Sequence, residues 1–323
     1  MAPLYLGIEI GGTKLQLGLG EGDGQILALE RRKVDPSLGA LGILGQIKSA
    51  FEALLQFQSL PASAIAGVGI GFGGPVDPGR GITTKSHQIE GWDQFPLADW
   101  IRENLKVERV AIQNDADAAG LAEALYGAGK GYSPLLYVTI GSGIGGGLIC
   151  DGTIYRGAGA GAVEVGHVWV RNPYAAGRPL IELEKVSSGW GISNRGREIA
   201  RSILETSGAS WVVLERAGND PDLITTQLIA DAAREGDPRS LEILTMAREA
   251  FAEGLRQAVT LLAPRRIVLG GGVSLIGVEL WVGPVREQLN RDVFVPFRGT
   301  FDLVVATLGE DVVVQGALAI AHS

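Results

Sequence analysis

The 323-residue chain contains one cysteine, Cys150, and only three histidines. A single cysteine excludes an internal disulfide framework and any metal site built from several thiolates, and it is typical of a reducing compartment. Acidic residues outnumber lysine and arginine, which gives a formal net charge of −8. This balance argues against nucleic acid and against an anionic membrane surface as partners.

Long hydrophobic runs are also missing from the sequence. The N-terminus shows no basic segment followed by an apolar stretch, so it does not read as a signal peptide. No run reaches the roughly 20 consecutive apolar residues of a membrane span. We therefore expect a cytoplasmic protein without a membrane partner.

Glycine is what the chain has in excess, with 48 residues, about twice the average share. The glycines cluster in turns that follow apolar segments, which indicates local demands on the backbone. One such pattern, strand, glycine turn, strand and Asp-Gly turn, occurs at residues 4–27 and again about 130 residues later, at 134–157. Such a repeat predicts a duplicated unit and two related domains.

Strand-like and helical segments alternate along the rest of the chain, which predicts an α/β architecture. The patterns predict helices at about 38–57, 96–104, 114–127 and 311–322, a mainly helical region from 195 to 262, strands at 65–72, 107–113, 266–270 and 301–309, and a long Gly/Pro-rich loop at 73–95.

Three glycine turns follow apolar strands and could hold phosphate oxygens with their N–H groups. They are Gly11-Gly12-Thr13-Lys14, Gly141-Ser142-Gly143 and Gly270-Gly271-Gly272. None has the spacing of a P-loop or of a dinucleotide-binding turn. Each alone reads equally well as a tight hairpin. Three of them together, two within the duplicated unit, favour a nucleotide phosphate site.

A strand-to-helix junction carries Asn114, Asp115 and Asp117. Strand ends in α/β sheets commonly line ligand crevices. Helix capping is the alternative interpretation of these side chains, and we assign Asp117 to that role or to solvent. Asp115 is the better catalytic candidate, because a carboxylate can accept the proton of an alcohol that attacks phosphorus.

His167 lies among carboxylates, with Glu164 before it and Glu182 and Glu184 after it. The pattern alone leaves four interpretations open: a metal site, a catalytic pair, a set of sugar-binding polar groups, or an ordinary surface strand. The turn "GFGGPVD" at residues 71–77 reads on its own as structural.

Taken together, these motifs resemble the ROK family of sugar kinases and sugar-responsive repressors. The resemblance rests on "GIEIGGTKLQLGL", "GFGGPVD", "AIQNDADAAGLAEALYGAGKG", "YVTIGSGIGGGLICDG", "GAVEVGHV" and "IVLGGGVS", which occur in the family's order. It implies an actin-like (ribonuclease H-like) α/β fold of two domains around a central cleft. We expect a smaller domain at 1–115, completed by a C-terminal helix at about 311–323, and a larger one at 116–310.

The family resemblance also implies roles for individual residues. Asp115 matches the catalytic base. The other matches are Gly74, Asn114, Glu164, His167 and Glu184 for the sugar, and Gly11, Gly12, Thr13, Lys14, Thr139, Gly141, Ser142, Gly143, Gly270, Gly271 and Gly272 for the nucleotide. ATP and Mg²⁺ are the implied cofactors. Lys14 reads equally well as an exposed strand residue.

Two features depart from the family pattern. Glu9 stands where the family usually has an aspartate that holds Mg²⁺, directly or through water, so the geometry of the ion is in question. The family's cysteine-rich zinc loop is absent, so we expect no structural zinc. His167 then needs another support, and we expect a hydrogen bond to Glu182, another carboxylate or a backbone carbonyl.

The resemblance implies ATP-dependent phosphorylation of a hexose, with glucose at its 6-hydroxyl as the first choice. N-acetylhexosamines, mannose and fructose are the alternative substrates. A glycine turn about ten residues from the start leaves no room for the repressors' DNA-binding domain, which favours a kinase. A sugar-binding protein with weak catalysis is the alternative of another class, and another actin-fold enzyme lacks motif support. A homodimer is a further option.

Overall fold

The computed structural model describes residues 2–85, 89–158, 161–206 and 210–323. The chain divides into two compact units. Unit 1 comprises Met1–Tyr137, Gly147–Ala162 and Ala306–Ser323, and unit 2 comprises Val138–Gly146 and Val163–Val305. The boundary expected at residue 115 falls inside unit 1 in this division.

Fourteen strands lie in the described part of the chain. They are β1 Leu4–Ile10, β2 Lys14–Gly20, β3 Ala28–Lys33, β4 Ile65–Phe72, β5 Val76–Asp77, β6 Ile82–Thr83, β7 Val110–Asn114, β8 Leu135–Ile140, β9 Ile144–Cys150, β10 Thr153–Ile154, β11 Trp169–Arg171, β12 Leu180–Glu182, β13 Arg266–Gly270 and β14 Asp302–Val305.

Ten α-helices lie in the same described ranges. They are α1 Gly39–Gln58, α2 Leu97–Leu105, α3 Asp115–Leu125, α4 Glu184–Ser187, α5 Gly189–Glu205, α6 Val212–Arg216, α7 Thr226–Arg234, α8 Pro238–Leu262, α9 Gly283–Asp292 and α10 Val312–His322. These positions match the predicted helices closely. Residues 86–88 of the predicted loop at 73–95, and residues 207–209 of the predicted helical region, lie outside the described residues.

The two five-stranded sheets repeat one topology. The first has the order β3-β2-β1-β4-β7, and the second has the order β10-β9-β8-β13-β14. In the first sheet β1 pairs antiparallel with β2 and parallel with β4, and β4 pairs parallel with β7. In the second, β9 pairs antiparallel with β10 and β13 parallel with β14. The corresponding strand orders support the duplication predicted from the two glycine-turn hairpins.

Unit 1 is built around β1, β4 and two helices, α3 and α10. The apolar side chains of β1, β2 and β4 are almost fully buried on both faces, and α10 packs against β1, β4 and α3. A Cβ atom at Gly316 of α10 would collide with the carbonyl oxygen of Ala118. Glycine at this position therefore lets α10 and α3 approach closely, and α3 carries Asp115 at its first position.

Helix α1 bears on the expectation that no segment of the chain could span a membrane. The segment Pro36–Gln58 is long and apolar enough, by length and composition alone, to cross a membrane. Its buried residues recur along one face and join the core of unit 1, while Leu41 and Phe57 are exposed. This distribution is typical of an amphipathic helix that covers a sheet.

Unit 2 is organised by the long helix α8. Its buried face packs against α4, α5, α7 and α9. The hydroxyl of Ser187 in α4 donates to the carbonyl of Ala247 in α8 at 2.8 Å, inside the core. Segment 164–171 is not one continuous strand: Val165–His167 forms a 3₁₀ turn, and β11 follows. β12 pairs antiparallel with β11.

Candidate active site

Asp115 is the first residue of α3 and follows directly on β7. The main-chain N–H of Ala116 donates to Asp115 Oδ1 at 2.8 Å, which fixes the carboxylate at the helix start. A Cβ atom at Gly73 would lie 3.4 Å from Asp115 Oδ2 and 3.5 Å from the Cα of Gly11. The carboxylate thus faces Gly73 on the side where the first glycine turn begins.

Asn114 both caps α3 and anchors the following loop of unit 1. Its side-chain oxygen accepts a hydrogen bond from the N–H of Ala116 at 2.9 Å, and its amide donates to the carbonyl of Gly74 at 3.0 Å. The capping interpretation is therefore correct for Asn114, and the residue still holds Gly74 beside Asp115. Asp117 is buried and lies against Gly147, away from solvent.

The first glycine turn closes the β1–β2 hairpin through the N–H of Gly11, which donates to the carbonyl of Lys14 at 2.9 Å. Lys14 Nζ lies 3.2 Å from Glu9 Oε1 and donates to the carbonyl of Glu310 at 3.2 Å. Gln16 donates to Glu9 Oε2 at 2.6 Å. Lys14 is therefore a half-exposed strand residue whose ammonium neutralises Glu9 at the turn.

Glu9 is the carboxylate expected to hold Mg²⁺ with the nucleotide. Burial raises its pKa, and the charge of Lys14 and hydrogen bonds from Gln16 and Lys14 offset that rise only in part. Carboxylate oxygens are suitable donors for Mg²⁺, and each keeps a lone pair beyond the one already engaged. With an ammonium 3.2 Å from Oε1, Glu9 fits Mg²⁺ through a water molecule better than by direct ligation.

The second glycine turn, at Gly141–Ile144, is the centre of the site residues in unit 2. The N–H of Gly189 donates to the carbonyl of Gly141 at 2.8 Å, and Glu184 Oε2 accepts from the N–H of Ile144 at 3.4 Å. A Cβ atom at Gly166 would collide with the carbonyl oxygen of Ile144. The turn therefore fixes the positions of α4, α5 and the loop that carries His167.

The third glycine turn packs on the end of β8. Gly271 has φ +80°, and a Cβ atom there would lie 2.5 Å from the carbonyl group of Ile140. Only glycine satisfies both demands. Gly272 then starts a 3₁₀ turn, Gly272–Ile276, that borders a pocket of about 460 Å³. The same pocket is lined by Gly141 and Ser142, so the structure brings the second and third turns together, while Thr139 lies half-buried on β8.

His167 lies beside two carboxylates in unit 2. One ring nitrogen and one oxygen each of Glu182 and Glu184 lie within 4.8 Å of one another. Lys185 Nζ lies 2.9 Å from Glu182 Oε2, and the hydrogen bond from this lysine is the main cause that lowers the pKa of Glu182. Glu164 is exposed at the start of the 3₁₀ turn.

This cluster bears on the expected absence of zinc. A site of one histidine and three cysteines is excluded by the sequence, but a histidine with two carboxylates is a donor set that a metal ion could use. The ammonium of Lys185 competes with a cation for Glu182. The expectation of no zinc considered only the missing cysteines and did not consider a donor set of one histidine and two carboxylates.

Three residues that the sequence interpretation overlooked shape the site. Trp190 is exposed and lines the 460 Å³ pocket. Gln16 binds Glu9, and the fully buried Glu123 accepts hydrogen bonds from the N–H groups of Thr307 and Leu308. The alternation in "KLQLGLG" placed Gln16 on a strand, but no local pattern indicated the partners of Trp190 or Glu123.

Known proteins resemble the chain over nearly its whole length. The ROK family model matches residues 5–323. A glucokinase of Thermotoga maritima is 30% identical over 317 residues, covering 98% of this chain and 96% of the relative.

Two solved structures share the fold. A ROK family glucokinase from Streptomyces griseus, in complex with glucose and AMPPNP, superposes with a TM-score of 0.80 at 29% identity, covering 98% of this chain and 99% of that chain. A ROK hexokinase from Thermus thermophilus gives a TM-score of 0.79 at 25% identity, covering 99% and 98%. The fold is the actin-like fold of these kinases, and the chain belongs to the ROK family.

Proposed function

We propose that this chain is an ATP-dependent hexose kinase that phosphorylates glucose at its 6-hydroxyl, with Asp115 as general base. The position of Asp115 carries the proposal: its carboxylate lies beside Gly73 and the start of the Gly11 turn, where a phosphoryl donor and an alcohol would meet. The glucokinase relative and the glucose complex of the Streptomyces griseus enzyme support glucose as substrate.

In the proposed reaction, Asp115 accepts the proton of the sugar 6-hydroxyl while the oxygen of that hydroxyl bonds to the γ-phosphorus. The bond from that phosphorus to the bridging oxygen breaks, and ADP leaves with the electron pair. The N–H of Ala116 holds Oδ1 in place, so the carboxylate needs little reorganisation during proton transfer. Catalysis by the protein is then mainly positioning and stabilisation of charge.

Sugar recognition needs both hydrogen-bond donors and acceptors. We assign Asn114, the loop at Gly74, Glu164, His167 and Glu184 to this task. Mg²⁺, when bound, neutralises charge on the phosphates, and Glu9 would hold it. The main-chain N–H groups of the glycine turns, with Thr13 and Ser142, contact the phosphates in this proposal.

A coupled assay of ADP release over glucose, mannose, fructose and N-acetylated hexosamines tests the activity. We expect the highest kcat/KM with glucose. Asp115→Asn should lower kcat by about 10²- to 10⁴-fold, the usual contribution of a general base, while the Kd for glucose changes only a few-fold. Asp99→Asn is the matched control, since Asp99 also lies in the first turn of a helix of unit 1 but is exposed. A near-normal kcat in Asp115→Asn would refute the assignment.

One observation favours a second candidate function, a sugar-binding protein with weak catalysis. Both oxygens of Glu9 are engaged, by Lys14 and by Gln16, which competes with the role of this carboxylate toward Mg²⁺. Calorimetry with glucose alongside the coupled assay separates the two candidates. Micromolar to millimolar binding without turnover of any sugar would favour the binding protein.

A further inference from the structure

The 460 Å³ pocket of unit 2 has an exposed tryptophan on its wall. The side chain of Trp190 is 54% exposed although it belongs to the first turn of α5. Val273 and Ile276 supply further apolar surface to the same pocket, and Gly141 and Ser142 border it. A flat aromatic face beside a turn assigned to phosphates has the layout of a nucleotide site.

Main-chain contacts fix Trp190 relative to the glycine turn. The N–H of Trp190 donates to the carbonyl of Ser142 at 3.2 Å, and the N–H of Gly189 donates to the carbonyl of Gly141 at 2.8 Å. The Ser188 hydroxyl caps the helix by accepting from the N–H of Gly191 at 3.1 Å. The indole is therefore carried by a preorganised backbone, at a fixed place beside the turn.

Five of the polar side chains that line this pocket take part in hydrogen bonds within the protein. Four of them donate and one accepts: Thr226 Oγ1 to Gly189 O at 2.6 Å, Gln227 Nε2 to Asp231 Oδ1 at 2.8 Å, Ser193 Oγ to Trp190 O at 3.2 Å, Arg197 Nε to Ile224 O at 3.2 Å, and Thr225 Oγ1 from the N–H of Leu228 at 3.3 Å. These hydrogen bonds hold the five side chains in helix caps and loop contacts, which leaves only part of their hydrogen-bonding capacity for the edge of a base.

We propose that Trp190 is the surface on which the nucleobase stacks, and that the pocket accepts the base by stacking and fit rather than by hydrogen bonds to its edge. The inference rests on the proposed kinase function and adds base selectivity to it. Every base has a π-face, so stacking tolerates changes of base. A site built to hydrogen-bond its substrate rejects a wrong partner by 10⁴-fold or more, whereas a site that relies mainly on stacking discriminates far less.

Two measurements test the proposal. With glucose as acceptor, kcat/KM for GTP and ITP should lie within about 10-fold of that for ATP, and pyrimidine triphosphates should be weaker because their rings offer less area for stacking. By calorimetry without sugar, Trp190→Ala should bind ATP about 5- to 150-fold more weakly, the range for loss of one base–aromatic stack. Trp190→Phe should recover part of this loss.

Trp169→Ala is the matched control for nucleotide binding. Trp169 belongs to unit 2, is 56% exposed, and does not line the pocket. Its substitution should leave the Kd for ATP unchanged, and glucose binding should be the same in Trp190→Ala and in the parent protein. A KM for ATP that rises in Trp190→Ala while kcat stays within a few-fold is the expected kinetic split.

Failure of the inference can be told apart from failure of the proposed function. Unchanged ATP affinity in Trp190→Ala, or a preference for ATP over GTP above about 10³-fold, overturns the stacking proposal while kinase activity persists. Absence of nucleotide binding and turnover in the parent protein overturns both. Equal losses of ATP and glucose binding in Trp190→Ala would indicate a general structural role for the side chain, which also overturns the proposal.

Discussion

The buried carboxylate of Glu123 allows a quantitative prediction for unit 1. Its side chain, in α3, is fully buried. Oε1 accepts from the N–H groups of Thr307 at 2.8 Å and Leu308 at 2.9 Å, and Oε2 accepts from the N–H of Ala128 at 2.7 Å. The carboxylate thus ties the helix of Asp115 to the segment that leads into α10, 184 residues away.

Replacing Glu123 by Ala removes the acceptor for three main-chain donors. A hydrogen bond to a charged group contributes about 1.5–3 kcal/mol, so complete loss of all three would cost about 5–9 kcal/mol. The vacated volume would admit water, which would satisfy part of the donors. We therefore expect a loss of about 3–5 kcal/mol in the free energy of unfolding, which corresponds to a fall in Tm of roughly 6–20 °C for a unit of this size.

Urea unfolding and hydrogen exchange together measure this loss and its location. Protection should fall at the N–H groups of Thr307, Leu308 and Ala128 before it falls elsewhere. The control is Glu52→Ala, an exposed position on α1, which should change stability by less than about 0.5 kcal/mol. A loss below about 1 kcal/mol in Glu123→Ala, or unchanged protection at these three groups, would refute the reasoning.

Three further predictions concern the site. Burial raises the pKa of Glu9 in the folded protein above its value in the unfolded chain. The protein therefore loses stability as the pH rises from the unfolded-state pKa through the folded-state pKa, where the carboxyl ionises. Glu9→Gln should therefore have a higher Tm than the parent at pH 7.5 but an equal one near pH ~3, with a higher KM for Mg·ATP; a lower Tm at pH 7.5 contradicts this. Glu182→Ala should weaken glucose binding about 10-fold by calorimetry, because the His167 ring loses one of the two carboxylates beside it. Zinc that co-purifies with the parent and is lost in this variant would point to a metal instead. Gly271→Ala should destabilise unit 2 by about 3 kcal/mol in urea, whereas Gly272→Ala, where a Cβ meets open space, should not.

Local patterns were enough to predict the elements that carry the site. The apolar segments and glycine turns at 4–27 and 134–157 predicted both hairpins, because strand, turn and strand are adjacent in sequence. The polar residues of "NDAD" likewise predicted a helix from about residue 114, and α3 begins at Asp115. Each of these features depends on residues within about 25 positions of one another.

The contacts that complete the site come from distant parts of the chain. Lys14 binds the carbonyl of Glu310, 296 residues away, and Glu123 binds the N–H of Thr307, 184 residues away. The periodic pattern of apolar residues in a local segment contains no information about such long-range pairs. The pocket around Trp190 also combines four separate segments, so no local pattern distinguished this tryptophan from the five others.

The two duplicated hairpins carry different side chains, so we expect their glycine turns to have different roles in nucleotide binding. With an offset of 130 residues, Glu9 corresponds to Thr139, Lys14 to Ile144 and Gln16 to Gly146. The first turn therefore carries a charged pair of its own, while the second turn is neutral in its own side chains and contacts the carboxylate of Glu184 through the N–H of Ile144.

A cation and its carboxylate can adjust to the charge of a phosphate and Mg²⁺, whereas a neutral turn offers fixed main-chain donors. We therefore expect the substitution Lys14→Met to change the dependence of kcat on Mg²⁺ concentration. Ser142→Ala, in the neutral turn, should change the KM for ATP and leave that dependence unaltered. Equal Mg²⁺ profiles for both variants would show that the two turns share one role.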